Sequence, residues 1–162
     1  MKIDLEKKYD KNTVVLWVGG IYCALVLVFL LALFWWNQRI TPVDVSGCQV
    51  NEGQLMYALN KNYGSNFVKL EGYAYVPGQD IIYADISVLA YDPVWDKYYE
   101  LPTESVKRTN ITKEAGDGFD YDNCGFSSVV LGRKLWNGTR FYIRCKNNGG
   151  DILTDTGQVF AY

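Results

Sequence analysis

An unbroken apolar run near the start of the chain limits the architectures open to it. Val14 to Trp36 covers 23 residues without a charged side chain. As an α-helix rising about 1.5 Å per residue, the run would span about 34 Å, enough to cross a hydrocarbon core of about 30 Å. A cleaved signal peptide has a shorter apolar run, of about 7 to 15 residues, that ends at small residues. Residues 14–36 are therefore predicted to form a retained transmembrane signal-anchor helix.

Basic residues beside this run predict its orientation. Four lysines precede it within the first 13 residues, whereas Arg39 alone follows within a comparable distance. Segments rich in Lys and Arg tend to stay in the cytoplasm. We therefore expect a single-pass cell-membrane protein with a cytoplasmic N-terminus over residues 1–13, a stalk over residues 37–50 and an extracytoplasmic domain over residues 51–162.

Composition argues against several classes of function. The chain has no histidine, which removes Ser-His-Asp and Cys-His catalysis and His-ligated zinc. Its net charge of −2 offers no electrostatic attraction to nucleic acid. No stretch of the sequence places two acids together in the way that general acid–base catalysis needs. We therefore expect a protein that is not an enzyme and has no cofactor, no metal and no nucleic-acid partner.

Residues after the anchor alternate between apolar and polar side chains, which is typical of strands. In residues 66–78, Val68 and Leu70 begin an inward face, and residues 80–92 repeat the pattern. A β-hairpin is predicted from Phe126–Leu131 and Thr139–Lys146. Further strands are expected at Lys97–Leu101, Val106–Ile111 and Thr154–Ala161, and Gly53–Tyr63 is ambiguous between a short helix and a first strand. Six to eight such strands predict an antiparallel β-sandwich.

A pattern of turn glycines and core aromatics extends over residues 66–146. Its members are Gly72, Pro77, Gly78, Arg108, Gly125, Phe126, Leu135, Gly138, Tyr142 and Ile143. The pattern resembles the immunoglobulin-like β-sandwich module of bacterial cell-surface polysaccharide proteins, which are associated with membrane glycosyltransferases. Asn110 replaces an Asp of that module, so no Arg–Asp pair is carried over. The resemblance implies an all-β, immunoglobulin-like ectodomain that is non-catalytic and partners membrane enzymes building or exporting envelope glycans.

Three cysteines follow the anchor and lie on the predicted outer side, where disulfides form and persist. Folding the predicted hairpin about its midpoint brings Cys124 close to Cys145, and we predict a disulfide between them. A bridge that involves Cys48 and free thiols are the alternatives, because three cysteines cannot all pair within one chain. Cys23 lies inside the anchor and is interpreted as a small apolar residue.

Two groups of residues are predicted to contact partners. Gly20 and Ala24 form a small-xxx-small step, which allows a second membrane helix to approach closely. The second group is a set of aromatic residues that would recognise a glycan or a protein. Its members are Tyr73, Tyr75, Tyr83, Tyr91, Trp95, Tyr98 and Tyr99.

These residues lead to two hypotheses of function. The first is an accessory or scaffolding subunit of a larger membrane complex, which contacts a membrane-embedded protein or a second copy of the chain. The resemblance implies that this complex would assemble or export cell-envelope polysaccharide. The alternative is a surface adhesion or binding module that recognises a glycan or protein through its tyrosines.

Two further patterns fall in loops. Asn110-Ile111-Thr112 and Asn137-Gly138-Thr139 match the N-glycosylation sequon. The loop from Asp117 to Asp122, which also contains Asp120, could offer oxygens to Ca²⁺, but it lacks the spacing of an EF-hand. We interpret it as a solvated acidic loop.

Overall fold

The protein, described by a computed structural model, consists of an apolar helix and a β unit. The structure describes residues 11–82, 85–147 and 150–161. Helix α1 covers Lys11–Asn37, and the chain divides into two compact units after Asn37. Every side chain from Lys11 to Trp36 is exposed, and the helix is long and apolar enough to cross a membrane. The helix predicted at residues 14–36 is therefore confirmed.

The described part of the β unit contains ten strands and a second helix. Helix α2 covers Thr109–Ala115, and a 3-10 turn covers Gly132–Lys134. The strands are β1 Thr41–Val43, β2 Gln49–Val50, β3 Met56–Tyr63, β4 Phe67–Tyr75, β5 Asp85–Asp92, β6 Lys97–Glu100, β7 Thr103–Val106, β8 Gly125–Leu131, β9 Arg140–Asn147 and β10 Gly150–Val159. Gly53–Tyr63, ambiguous in the sequence, thus contains a strand.

The strands form two sheets that share one hydrophobic core. The larger sheet has the order β1-β6-β5-β9-β10-β2, and the smaller one has the order β3-β4-β8-β7. Strands β2 and β10 pair in parallel, and the other described pairs are antiparallel. Leu70 and Phe126 of the smaller sheet belong to the same buried cluster as Val88, Phe141 and Ile143 of the larger one. The prediction of a mainly antiparallel, all-β domain is confirmed.

The two strands of the predicted hairpin, β8 and β9, are present, but the prediction that they pair with each other is wrong. Strand β8 pairs with β4 and β7, whereas β9 pairs with β5 and β10. The segment between them carries the chain from one sheet to the other, and Leu135 in it is buried in the core. Both strands turn an apolar face inward, and alternation along a strand specifies that face but not the sheet to which the strand belongs.

The predicted stalk over residues 37–50 is also corrected. Strand β1 pairs with β6, and strand β2 pairs with β10, so both edges of the larger sheet are extended by this segment. Lys134 Nζ donates a hydrogen bond to the carbonyl oxygen of Gln38, and Ile40 packs against the core. Edge strands present unpaired backbone groups, and short flanking strands satisfy them. Residues from Gln38 onward therefore belong to the β unit.

Residues 44–48 cross the outer face of the larger sheet. They join β1 at one edge to β2 at the other. Asp44 and Cys48 both interact electrostatically with Arg144 on the central strand β9. Leu89, which alternates with the inward Val88 and so points to this outer face, is fully buried. We call residues 44–48 the strap.

Helix α2 replaces part of the strand predicted at Val106–Ile111. Strand β7 ends at Val106. Helix α2 ends at Ala115 and is capped by Gly116, whose φ of 61° is the left-handed conformation that glycine adopts readily at a helix C-terminus. Ile111 of α2 packs with Tyr121 and Cys124 in a second buried cluster. A helix of about two turns is too short to display the helical period clearly in the sequence.

Candidate functional site

Three tyrosines form an aromatic cluster on the outer face of the larger sheet. Tyr91 lies opposite Tyr98 across β5 and β6, and Tyr142 of β9 lies diagonal to Tyr91. The ring centroids are 4.8 Å apart for Tyr91 and Tyr98, 5.2 Å for Tyr98 and Tyr142, and 6.1 Å for Tyr91 and Tyr142. All three side chains are half-buried. Tyr91 and Tyr98 were in the predicted recognition surface. Tyr142 was not, although its outward position between Arg140 and Arg144 in an alternating strand could have indicated it.

A neighbouring carboxylate and burial raise the pKa of two of the three tyrosines in this cluster. The Tyr91 hydroxyl donates to Asp96 Oδ1 at 2.9 Å, and this hydrogen bond raises the pKa of Tyr91. Burial, followed by the nearby charge of Asp155, raises the pKa of Tyr142. Asp155 also lies 3.9 Å from the Arg140 guanidinium. The cluster thus presents neutral aromatic rings with hydrogen-bonding edges, which suits recognition rather than proton transfer at neutral pH.

Trp95 lies at the tip of the turn between β5 and β6. Its side chain is 68% exposed, and that of Val94 is 78% exposed. The backbone N–H of Val94 donates to Asp92 Oδ1 at 2.8 Å, and Asp96 has a φ of 51°, which is uncommon outside glycine. The turn is therefore held in one conformation with two large apolar side chains directed into solvent.

Tyr73 and Tyr75 lie in β4 of the smaller sheet and pack against the second buried cluster. Their rings are 6.0 Å apart, and Tyr75 lies 4.3 Å from the ring of Tyr121. Tyr121 is fully buried, and both tyrosines pack against the cluster formed by Ile111, Tyr121 and Cys124. The structure therefore separates Tyr73 and Tyr75 from the outer-face cluster.

Tyr99 is separated from that cluster as well. It follows Tyr98 in β6 and so points to the opposite face, where its ring lies 5.2 Å from Trp136. Tyr83 lies outside the described residues. The predicted recognition surface is thus reduced to Tyr91 and Tyr98, joined by Tyr142 and accompanied by the Trp95 tip.

The predicted disulfide between Cys124 and Cys145 is not present. Both cysteines are buried and free, as Cys145 lies in β9 of the larger sheet and Cys124 lies just before β8 of the smaller one. Burial raises the pKa of each thiol to about 11. Cys48 in the strap is free and half-buried, and burial also raises its pKa. The prediction failed because it rested on a hairpin that the two strands do not form.

Thiol labelling should separate these cysteines. In a Cys23→Ala variant of the full chain, maleimide is expected to modify Cys48 first and to reach Cys124 and Cys145 only on unfolding. The thiolate is the reactive species, and buried thiols with a pKa of about 11 supply almost none at pH 7. Peptide mass spectrometry without reductant measures the order. A peptide linking Cys124 to Cys145 would contradict the structure.

The carboxylates of the acidic loop are used within the fold. Asp117 Oδ2 accepts from the Tyr121 hydroxyl at 2.6 Å, and Asp122 Oδ1 accepts from Thr112 Oγ1 at 2.7 Å. Asp120 Oδ1 accepts from the backbone N–H of Asp122 at 2.8 Å. Across the residues that the structure describes, no group of three or more His, Cys, Asp or Glu side chains is placed to hold a metal ion. The loop therefore uses its acids to fix its own conformation.

Acid should destabilise the β unit through these groups. Hydrogen bonds from Tyr121 and Thr112 lower the pKa of Asp117 and Asp122 respectively, and the Arg144 guanidinium lowers that of Asp151. A lowered pKa means that folding favours the ionised form, so the stabilisation is present above the ordinary value of 3.8 and is lost as pH falls through the lowered value. Thermal unfolding between pH 7 and pH 2.5, followed by circular dichroism, should show Tm falling below about pH 4. A flat profile would contradict this expectation.

Both predicted sequons lie at the surface. Asn110 is exposed on α2, and Asn137 is exposed in the segment before β9. The sequon threonines are engaged in the fold, as Thr112 donates to Asp122 and Thr139 Oγ1 accepts from the backbone N–H of Trp136. A glycan on either asparagine would extend into solvent.

The predicted small-xxx-small step forms an open groove on α1. Gly20 and Ala24 line it together with Leu16 and Trp17. A Cβ atom added at Gly20 would meet nothing within 4 Å. The groove is thus available to any side chain that approaches along this face of the helix.

Comparison with known proteins gave no match. No family model, curated protein or solved structure is similar to this chain. Function is therefore inferred from the chain's own residues.

Proposed function

We propose that the protein is a single-pass membrane protein whose β unit acts by binding, as a non-catalytic accessory or scaffolding subunit of a larger membrane complex. The observation that carries this proposal is α1, whose side chains are exposed along its whole described length. A helix that is apolar on every side needs lipid or other membrane helices to cover it. The groove at Gly20 and Ala24 supplies a face on which a second helix can pack.

The order of the strands supports an immunoglobulin-like fold for the β unit. Strands β3-β4-β8-β7 follow the order A-B-E-D of such domains, and β6-β5-β9-β10 follow the order C′-C-F-G. Strands β1 and β2 are then additions at the edges of the larger sheet. Together with the resemblance over residues 66–146, this order supports cell-envelope polysaccharide assembly or export as the setting of the complex.

Orientation in the membrane is tested by protease protection. The lysines before α1 favour a cytoplasmic N-terminus and an extracytoplasmic β unit. Protease added to intact cells should degrade the β unit and spare an epitope tag at the N-terminus. Protection of the β unit until the cells are lysed would reverse the proposed orientation.

Association is tested by purification in a mild detergent. The tagged full chain is expected to recover a membrane-embedded protein in a constant molar ratio, identified by mass spectrometry. An unrelated single-pass protein carrying the same tag is the control for adventitious binding. Recovery of the chain as a monomer without any such partner would contradict the proposed role.

The exposed Trp95 tip favours a second candidate, a surface module that binds a glycan or protein through its aromatic residues. Trp is among the side chains that contribute most to binding surfaces. This candidate predicts that the full chain, purified alone, binds its ligand, and that Trp95→Ala abolishes binding without changing recovery of a membrane partner. An accessory subunit that used only α1 would bind no such ligand, so Trp95→Ala would have no binding to abolish.

A further inference from the structure

One end of the β unit contains an open cavity of about 700 Å³. It lies between the turn joining β3 to β4, the end of β8 and the segment after β10. Its walls include the aromatic rings of Tyr63, Phe67 and Phe160, and the ring centroids of Tyr63 and Phe160 are 5.9 Å apart. Phe160 is buried, whereas Tyr63 and Phe67 are 51% and 38% exposed. The lining of the cavity thus includes one buried aromatic ring and two that are partly exposed.

Polar side chains with unused hydrogen-bonding capacity line the same cavity. These are the hydroxyl of Ser65, the amide of Asn66 and the guanidinium of Arg133. Each of the three residues is exposed, and no hydrogen bond or ion pair of these side chains to any described residue occurs. They therefore offer both donors and acceptors to a ligand.

The charge of the cavity is positive, although the chain as a whole carries −2. None of the residues that line it is Asp or Glu. Arg133 is the charged residue of the lining, and Lys61 Nζ lies 5.1 Å from the centroid of the Tyr63 ring. An anionic group on the ligand would find a guanidinium and a nearby ammonium without a competing carboxylate among the lining residues.

We infer that this cavity binds a saccharide that carries a carboxylate, of the uronic acid type. The C–H face of a sugar ring can pack on the aromatic walls, while its hydroxyls bond to Ser65 and Asn66. Arg133 then pairs with the carboxylate through two parallel hydrogen bonds. A purely apolar ligand would leave the polar groups desolvated without partners, which is unfavourable. This ligand site goes beyond the proposed scaffolding role and does not depend on it.

Binding of defined oligosaccharides tests the inference. The full chain is reconstituted in lipid nanodiscs, which avoid detergents with sugar headgroups, and trigalacturonate, triglucuronate and neutral maltotriose are titrated by calorimetry. At least one of the acidic trimers is expected to bind at least about tenfold more tightly than maltotriose, because maltotriose lacks the carboxylate that would form two charge-assisted hydrogen bonds with Arg133, and a factor of ten corresponds to roughly 1.4 kcal/mol. Arg133→Gln should reduce the affinity of that trimer to the level of maltotriose.

A matched variant and four outcomes make the test decisive. Lys113→Gln removes the same charge from the exposed surface of α2 and should leave binding unchanged. Failure of both acidic trimers to bind at millimolar concentration, equal binding of maltotriose, or full binding by Arg133→Gln would each overturn the inference. If octanoate displaced the bound trimer at a concentration lower than that of the trimer itself, the ligand would be identified as an acyl chain, and the inference would also be overturned. Arg133→Gln should leave recovery of the membrane partner unchanged, so the two proposals can fail separately.

Discussion

Replacing Gly72 by alanine is expected to destabilise the β unit strongly and to lower its Tm well below that of the wild type. Gly72 lies in the middle of β4, opposite Leu59 on one side and Phe126 on the other. A Cβ atom at this position would overlap the carbonyl oxygen of Ala58 and lie 2.9 Å from Cζ of Phe126. Strand β3 and the buried Phe126 ring would both have to shift, at a cost of about 3 kcal/mol or more. That is a large share of the roughly 5 to 15 kcal/mol by which small domains are stable.

Circular dichroism of the full chain during urea and thermal unfolding measures this effect. Gly47→Ala is the matched control, because a Cβ atom there would meet nothing within 4 Å, and we expect it to change the free energy of unfolding by less than about 0.5 kcal/mol. A Gly72→Ala protein with wild-type Tm would show that β3 and β4 are not packed as the structure describes.

Alternation along β4 made its inward face predictable from the sequence, because Val68, Leu70 and Ala74 recur at every second or fourth position and are all buried. The pairing of strands was less predictable. Strands β8 and β9 are neighbours in the chain and each has an apolar face, yet they lie in different sheets. A short loop would have favoured a hairpin, whereas the segment between them is long enough to cross the core and contributes Leu135 to it.

Two residues at or near β5 do not follow the simple alternation of buried and exposed side chains. The alternation over residues 80–92 would place Ile82 on the inward face, but its side chain is 84% exposed because β5 begins only at Asp85. Leu89 alternates with the inward Val88, and yet it is fully buried on the side that the strap crosses. The strap lies more than 40 residues before Leu89 in the chain, and no local pattern connects it to this strand.

The sequence indicated that tyrosines would form the candidate site, but it did not indicate which tyrosines contact each other. Tyr142 joins Tyr91 and Tyr98 only because β5 pairs with both β6 and β9. Tyr98 and Tyr99 are adjacent in the sequence, but successive side chains of a strand point to opposite faces of the sheet, so the two rings lie on different faces. The cavity at the end of the β unit is assembled from three distant segments, and none of its residues stood out in the sequence.

If the proposed membrane partner packs on α1, filling the groove on this helix is expected to release that partner while leaving the protein inserted and folded. Gly20→Leu combined with Ala24→Leu adds two branched side chains where the helix surface is now open. Leucine favours insertion, so the anchor should be retained. The partner helix, however, would lose the close van der Waals contact that small residues allow and that lipid cannot replace. Recovery of the partner in mild detergent should fall at least about fivefold, which corresponds to roughly 1 kcal/mol.

Gly19→Leu combined with Cys23→Leu is the matched control, because it adds similar volume to a neighbouring face of the same helix, about 100° away. We expect this control to recover the partner at the wild-type level, and both double variants to show the wild-type Tm for the β unit. Replacing residues 14–36 by an unrelated apolar helix of equal length should behave like the Gly20 and Ala24 variant. If all three variants recover the partner fully, α1 acts only as a tether, since lipid would then cover every face of the helix equally well. Recognition would in that case reside in the β unit, where the half-buried cluster of Tyr91, Tyr98 and Tyr142 and the exposed Trp95 tip offer an aromatic surface.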